Sequence, residues 1–161
     1  MSNILIREAR ESDVPTIVKL AVELIESMKN KEGIDLYRIL GNCQNLLKNT
    51  NSHILVAEVD GAIAGFINFT THRTLLHIGS SGLIDELVVN KNYRGKGIGK
   101  QLIYAAIEKC KHLGCCEVEV NTEFTNTNAR KFYKGCGFEE RGVILEKELL
   151  GEDKKNASNI A

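Results

Sequence analysis

Asp60-Gly61 stands between two strand-like runs, His53 to Val59 and Ala62 to Thr71, in which the residue pattern has a period of two. An Asp-Gly pair tolerates the positive φ angles of a two-residue turn, so the runs on either side are expected to fold back as an antiparallel hairpin. The rest of the chain must therefore be built around a sheet. Residues 3 to 8 and 83 to 89 read as further strands, with a loop over 74 to 82 between the hairpin and the second of them. Beyond residue 89 the pattern alternates: a helix over 98 to 113, a strand over 115 to 121, a short helix over 127 to 135 and a last strand over 143 to 149. Before the hairpin, Ile17, Leu20, Ala21, Leu24, Ile25 and Met28 recur at helical spacing over 13 to 30. Ser12-Asp13 reads as the cap of this helix, and Pro15 lies in its first turn. A second helix is expected over 34 to 48, through Leu36, Ile39, Leu40, Cys43 and Leu46. A hairpin series followed by alternating helices and strands predicts a mixed α/β sheet with helices on both faces.

The chain has 161 residues, 43% of them hydrophobic, which suits one domain over residues 1–150 with a single sizeable core. Residues 151–161 are polar and aperiodic and read as a disordered tail. Lysine plus arginine and aspartate plus glutamate each number 21, so net charge recruits neither nucleic acid nor an anionic membrane. No run approaches the 18 or so apolar residues of a membrane span, and nothing in the first residues resembles a signal peptide. Five cysteines, with no Cys-x-x-Cys pair, read as reduced thiols of a cytoplasmic protein. His53, His72, His77 and His112 are too scattered to form a ligand set, so no metal is expected.

The sharpest local feature is Val88-Val89-Asn90-Lys91-Asn92-Tyr93-Arg94-Gly95-Lys96-Gly97-Ile98-Gly99-Lys100, a strand, a polar turn and a helix start. Amides that converge at glycines and at a helix N-terminus favour phosphate oxygens, and Arg94, Lys96 and Lys100 add positive charge. A pyrophosphate-bearing ligand is the expected occupant. A Walker A loop does not fit, because Gln101 follows Lys100 where serine or threonine is needed. A Rossmann turn does not fit either, because the spacing is Gly-x-Gly-x-Gly, with five residues between it and Val89.

Arg94-Gly95-Lys96-Gly97-Ile98-Gly99 contains Arg-x-x-Gly-x-Gly and resembles the coenzyme A pyrophosphate loop of the GNAT superfamily of acetyltransferases. Asn126 to Phe138 is similar to the same superfamily's Asn-x-x-Ala-x-x-Phe-Tyr-x-x-x-Gly-Phe segment. The resemblance covers residues 52 to 149 and implies a largely antiparallel central sheet and an acetyl-coenzyme A cosubstrate. It further implies that donor binding uses Arg94, Gly95, Lys96, Gly97, Ile98, Gly99 and Lys100 for the pyrophosphate. The backbone of Leu87, Val88 and Val89 would pair with the pantetheine arm like an added strand. Asn126 would bond the arm, cap its helix, or both.

Acetyl transfer to an amine needs a held thioester, an unprotonated amine and a proton for the departing thiolate. Asp85 and Glu86 interrupt an otherwise apolar strand and, as neighbours, are expected to point to opposite sheet faces, one of them toward the acceptor. Similar carboxylate pairs stand here in polyamine and amino-sugar acetyltransferases, a likeness that favours Asp85 as the base. Tyr133 matches the tyrosine that often protonates the thiolate in this superfamily; taken alone it would be a core residue. Cys136 has no histidine beside it to activate it as a nucleophile, so direct transfer is expected. The resemblance also implies an acceptor side shaped near residues 27 to 40 and 72 to 82, and pairing into a homodimer. The acceptor is a small-molecule or peptide amine of unidentified kind. The rival reading is a module that binds acyl-coenzyme A without turnover.

Overall fold

The computed structural model describes residues 3–28 and 35–149. Its elements run β1 (Ile4–Glu8), α1 (Val14–Ser27), α2 (Leu36–Lys48), β2 (Ser52–Val59), β3 (Ala62–Arg73), β4 (Ser80–Val89), α3 (Ile98–His112), β5 (Cys115–Val120) and α4 (Thr127–Gly135). The strands lie side by side in chain order, β1 to β4 antiparallel and β5 parallel to β4. At the β2–β3 turn both Asp60 (φ 49°) and Gly61 (φ 84°) adopt the left-handed region that a tight hairpin turn requires. The switch to a parallel pair follows from α3, which carries the chain back across the sheet before β5 begins.

Alternation along the strands divides the core between the two faces. Ile67 and Phe69 of β3 and Ile84 of β4 are buried with Ile98, Leu102, Ile103, Ala106 and Cys110 of α3. Ile98, Leu102, Ala106 and Cys110 recur every four residues, so one stripe of α3 meets the sheet. On the opposite face Ile54, Val56, Phe66 and Val88 are buried with Val14, Ile17 and Leu20 of α1 and Cys43 of α2. Gly82 marks how closely α3 approaches β4, since a Cβ there would stand 2.6 Å from Cys110 Sγ.

Three expectations change. β4 starts at Ser80, so the expected loop over 74 to 82 gives its last residues to the sheet. Serine and glycine have weak strand propensity, but Ser80 and Gly82 pair with β3 on one side and β5 on the other. Residues 143 to 149 form no strand. Asp13 makes no cap bond to α1. Its carboxylate accepts instead from Arg7 Nη1 at 2.7 Å and Nη2 at 3.0 Å and from the Arg10 amide at 2.8 Å. The expected tail over 151–161, residue 150 and residues 29–34, where the first expected helix ends and the second begins, lie outside the described residues.

Arg7 also donates from Nε to Glu58 at 2.8 Å, which ties β1 to β2 and to the start of α1. Asp13 is 7% exposed, so removing its partner would leave a buried charge. Arg7→Met is expected to destabilise the fold by about 3 kcal/mol, read by denaturant titration at neutral pH. Arg7 holds the Asp13 carboxyl below its ordinary value, chiefly by the side-chain hydrogen bond. The stability this contributes is present above the unfolded value, near 3.9, and is lost as pH falls through the folded one. In Arg7→Met that acid-labile component should vanish.

Candidate active site

Pairing between β4 and β5 stops at Ile84–Val120, while β4 runs on to Val89. Asp85 to Val89 therefore have β3 on one side and no strand on the other among the described residues. The Asn90 amide donates to Ala64 O of β3, whereas Val89 O turns the other way and accepts from Arg94 Nε at 3.1 Å. By strand alternation, Leu87 and Val89 aim their main-chain groups at the open side and Val88 aims its own at β3. Val88 instead contributes a buried side chain to the α1–α2 face.

A β-bulge interrupts the β3–β4 ladder at the carboxylates. Asn68 pairs with Glu86 and Phe69 with Ile84, leaving Asp85 without a partner on β3. The extra residue removes the expected opposition: Asp85 and Glu86 line one recess of about 310 Å³ together with Asn42, Asn45, Leu46 and Asn68, on the α1–α2 side. Glu86 Oε2 accepts from Asn68 Nδ2 at 2.6 Å, and Asp85 Oδ2 from Thr70 Oγ1 at 3.3 Å. Desolvation in the recess raises both carboxyls above their ordinary values; Asn68 opposes this for Glu86, and the neighbouring Asp85 charge adds to it. Each side chain keeps an exposed edge, so solvent tempers the effect. Asn68 is 4% exposed, and its Oδ1 has no partner among the described residues.

The glycine turn leads from this strand into α3. Gly95 (φ 75°) and Gly97 (φ 77°) are both left-handed, and Gly97 is the residue before the first helical turn. A side chain is strained in that conformation, which is why glycine stands at alternate positions here. The first-turn amides of α3 have no intrahelical acceptor and, with the helix dipole, present a positive cradle. Lys96 lies over the Tyr93 ring at 5.2 Å and Lys100 over Tyr104 at 5.6 Å, so both cations border the turn. Gly99 lets α4 approach, since a Cβ there would touch Phe132 at 3.4 Å.

Between α3 and α4 lies a cleft of about 350 Å³ lined by Lys100, Asn128, Lys131, Phe132, Gly135 and Cys136. Asn126 caps α4 by accepting from the Ala129 amide at 3.1 Å. Tyr133 is half-buried, its ring edge-on to Phe132 (centroids 5.3 Å apart) and Phe138 (5.8 Å). Burial, and then the nearby Cys136, push the Tyr133 phenol above its ordinary value, so it holds its proton. Burial raises the Cys136 thiol as well, which disfavours a thiolate nucleophile.

Tyr133 packs with the α3-side core, whereas Asp85 and Glu86 open on the other face. The sheet thus brings the carboxylates together, keeps the phenol on the far side, and leaves β4 unpaired between them. The open edge, the alternating left-handed glycines and the lysine-bordered cleft fit an extended ligand with a pyrophosphate. Sequence reasoning missed Asn42, Asn45, Asn68, Asn128 and Lys131. Asn68 left a signal as a polar residue within an apolar strand, and Asn42–Asn45 and Asn128–Lys131 as polar pairs three apart on helices. The recess is walled by the second half of α2, outside the stretches 27 to 40 and 72 to 82. Among the described residues no group of three or more His, Cys, Asp or Glu is placed to hold a metal, and no helix is long and apolar enough to cross a membrane.

The sequence profile of the acetyltransferase (GNAT) family matches residues 17–138, and the chain belongs to that family. An aminoalkylphosphonate N-acetyltransferase of Salmonella typhimurium strain LT2 is 31% identical over 144 residues, covering 89% of this chain and 90% of the relative. An N-alpha-acetyltransferase of Sulfurisphaera tokodaii is 30% identical over 155 residues, covering 92% and 87%. Among solved structures, the aminoglycoside N-acetyltransferase AAC(6')-Iy in complex with CoA has the same fold (TM-score 0.80, 23% identity, 92% of this chain and 96% of that one). The chain is an acyltransferase of the N-acetyltransferase kind, and its reaction is acetyl transfer to an amine. Relatives named for that activity favour turnover over the acyl-coenzyme A module that only binds.

Proposed function

We propose that the chain transfers an acetyl group from acetyl-coenzyme A directly to a primary amine, with Asp85 as base and Tyr133 as acid. The observation that carries this reading is the unpaired stretch of β4, with two carboxylates on one side of the sheet and a protonated phenol on the other. The donor supplies the acetyl group as a thioester. Leu87 and Val89 would pair with its pantetheine arm, and the Arg94–Lys100 turn would hold its pyrophosphate. Lys100, Asn128 and Lys131 would border its remaining phosphate and base. Asn126 already spends its side-chain oxygen on the helix cap, which leaves its amide N–H for the arm.

The acceptor would enter the recess walled by α2. An alkyl amine of pKa ~10.4 is neutral in about one molecule in 2,500 at pH 7, a penalty of roughly 4.6 kcal/mol if nothing takes its proton. Asp85 is suited to take it: its one side-chain hydrogen bond among the described residues is long, whereas Glu86 is held at 2.6 Å by Asn68. Glu86 would then orient the ammonium and keep the recess negative. Five free thiols suit a reducing cytoplasm.

Coenzyme A or acetyl-coenzyme A at 100 times its Kd is expected to stabilise the fold by about 2.7 kcal/mol, read as a thermal shift of several degrees. Gly97→Val puts a β-branched residue at φ 77° and a side chain into the cradle, and should abolish the shift. A shift that survives this change would move donor binding away from the turn. A thiol-release assay over a panel of amines then identifies the acceptor.

A further inference from the structure

The recess beside β4 holds two carboxylates and, among the described residues, no cation. Asn42, Asn45 and Leu46 of α2 and Asn68 of β3 complete its wall around Asp85 and Glu86. Both hydrogen bonds to the carboxylates come from neutral donors, Thr70 to Asp85 and Asn68 to Glu86. Burial raises both carboxyls and the Asp85 charge raises Glu86 further, while no lysine, arginine or histidine among the described residues offsets either. Two such groups side by side oppose each other's ionisation until positive charge arrives from outside.

Asn68 shows that Glu86 is deliberately held. It is 4% exposed and gives its Nδ2 to Glu86, while its Oδ1 is shut away from water with no partner among the described residues. A buried oxygen left unpaired lowers stability, so this amide is retained for its grip on Glu86. Glu86 is thereby fixed one residue from the proposed base. A monoamine would leave that arrangement unbalanced. It enters as an ammonium, and once Asp85 has taken its proton Glu86 still lacks a counter-charge.

On the strength of the acetyl-transfer role proposed above, we propose that the acceptor is a short alkyl diamine, its reacting nitrogen at Asp85 and its second, protonated nitrogen on Glu86. Leu46 adds an apolar side chain for the methylenes between the two nitrogens. The C–N bond forms as the thioester C–S bond breaks. Of the two protons that the nitrogen gives up, one goes to Asp85 and the other balances the one that Tyr133 gives to the sulfur. The product keeps one positive charge of the original two, so it fits the recess less well than the substrate and leaves after a single acetylation. An amine that carries an anionic group meets two like charges and is rejected.

Calorimetric titration of the chain, with and without coenzyme A, reads the recess apart from turnover. Against it, 1,4-diaminobutane should bind at least about tenfold tighter than butylamine, and 2-aminoethylphosphonate should bind weakest. Thiol release from acetyl-coenzyme A should follow the same order in kcat/KM, with the monoacetylated diamine accumulating first. Glu86→Gln should bring diamine and butylamine to within about threefold of each other. Asn45→Lys, at an exposed position of α2, sets a cation on the recess wall and should weaken diamine binding about tenfold while strengthening that of the phosphonate. Tighter binding of the diamine without thiol release on any amine would support the paired-charge recess and contradict acetyl transfer. Butylamine bound and acetylated as well as the diamine would overturn the diamine and leave acetyl transfer standing. A diamine preference that survives both substitutions also overturns the proposal, because the second nitrogen would then lie elsewhere.

Discussion

Tyr133→Phe is expected to lower kcat about 100-fold while acetyl-coenzyme A affinity stays within about twofold of wild type. The change removes one hydroxyl and keeps the ring, so the edge-on contacts with Phe132 and Phe138 survive. Its effect falls on the maximal rate because the proton is needed only as the carbon–sulfur bond breaks. Burial raises the phenol above its ordinary value near 10, so it stays protonated across the working range. Loss of a proton from Tyr133 should therefore contribute no alkaline limb below that pH. Steady-state kinetics alongside titration calorimetry separate the two effects. An unchanged kcat in a folded, ligand-binding variant would make Tyr133 a packing residue.

Asp85→Asn should depress turnover by about 10² or more at pH 7 and recover in part toward pH 10, where the amine sheds its proton unaided. The sign for stability is the reverse of the usual carboxylate case. Desolvation raises the Asp85 carboxyl, so its charged form opposes folding above the unfolded value, and that cost disappears as pH falls through the folded one. Asp85→Asn should thus leave the neutral-pH melting temperature unchanged or higher while activity falls, as expected of a group held in place for chemistry. Glu86→Gln should act more through KM, since Glu86 is fixed by Asn68 and faces the acceptor. If instead Glu86→Gln carries the pH-dependent loss and Asp85→Asn does not, the two roles exchange.

Most of the architecture was legible because periodicity and turn chemistry agreed. Asp60-Gly61 takes the two positive φ angles its sequence implies, and the stripe of α3 buries as its spacing predicts. The glycine turn was legible for the same reason, since left-handed glycines before a helix leave a local mark. What could not be read depended on residues far apart in sequence. The bulge that turns Asp85 and Glu86 to one face arises from the register between Asn68–Phe69 and Ile84–Glu86, and no pattern within β4 alone encodes it. Ser80 to Gly82 look like loop until β3 and β5 are placed on either side. Asp13 looks like a cap until Arg7 of β1 is seen to reach it. Residues 143 to 149 look like a strand because they have the composition of one, yet they pair with no strand among the described residues.

Acetylation by the wild-type chain and Tyr133→Phe, measured as thiol release from acetyl-coenzyme A over a panel of primary amines, tests the central claim most directly when paired with calorimetric binding of the donor. The account predicts an amine-dependent thiol release by wild type, a loss of about 100-fold in the variant, and equal donor binding by both. Thiol release at the same rate by both, or donor binding by wild type with no turnover on any amine, would contradict it.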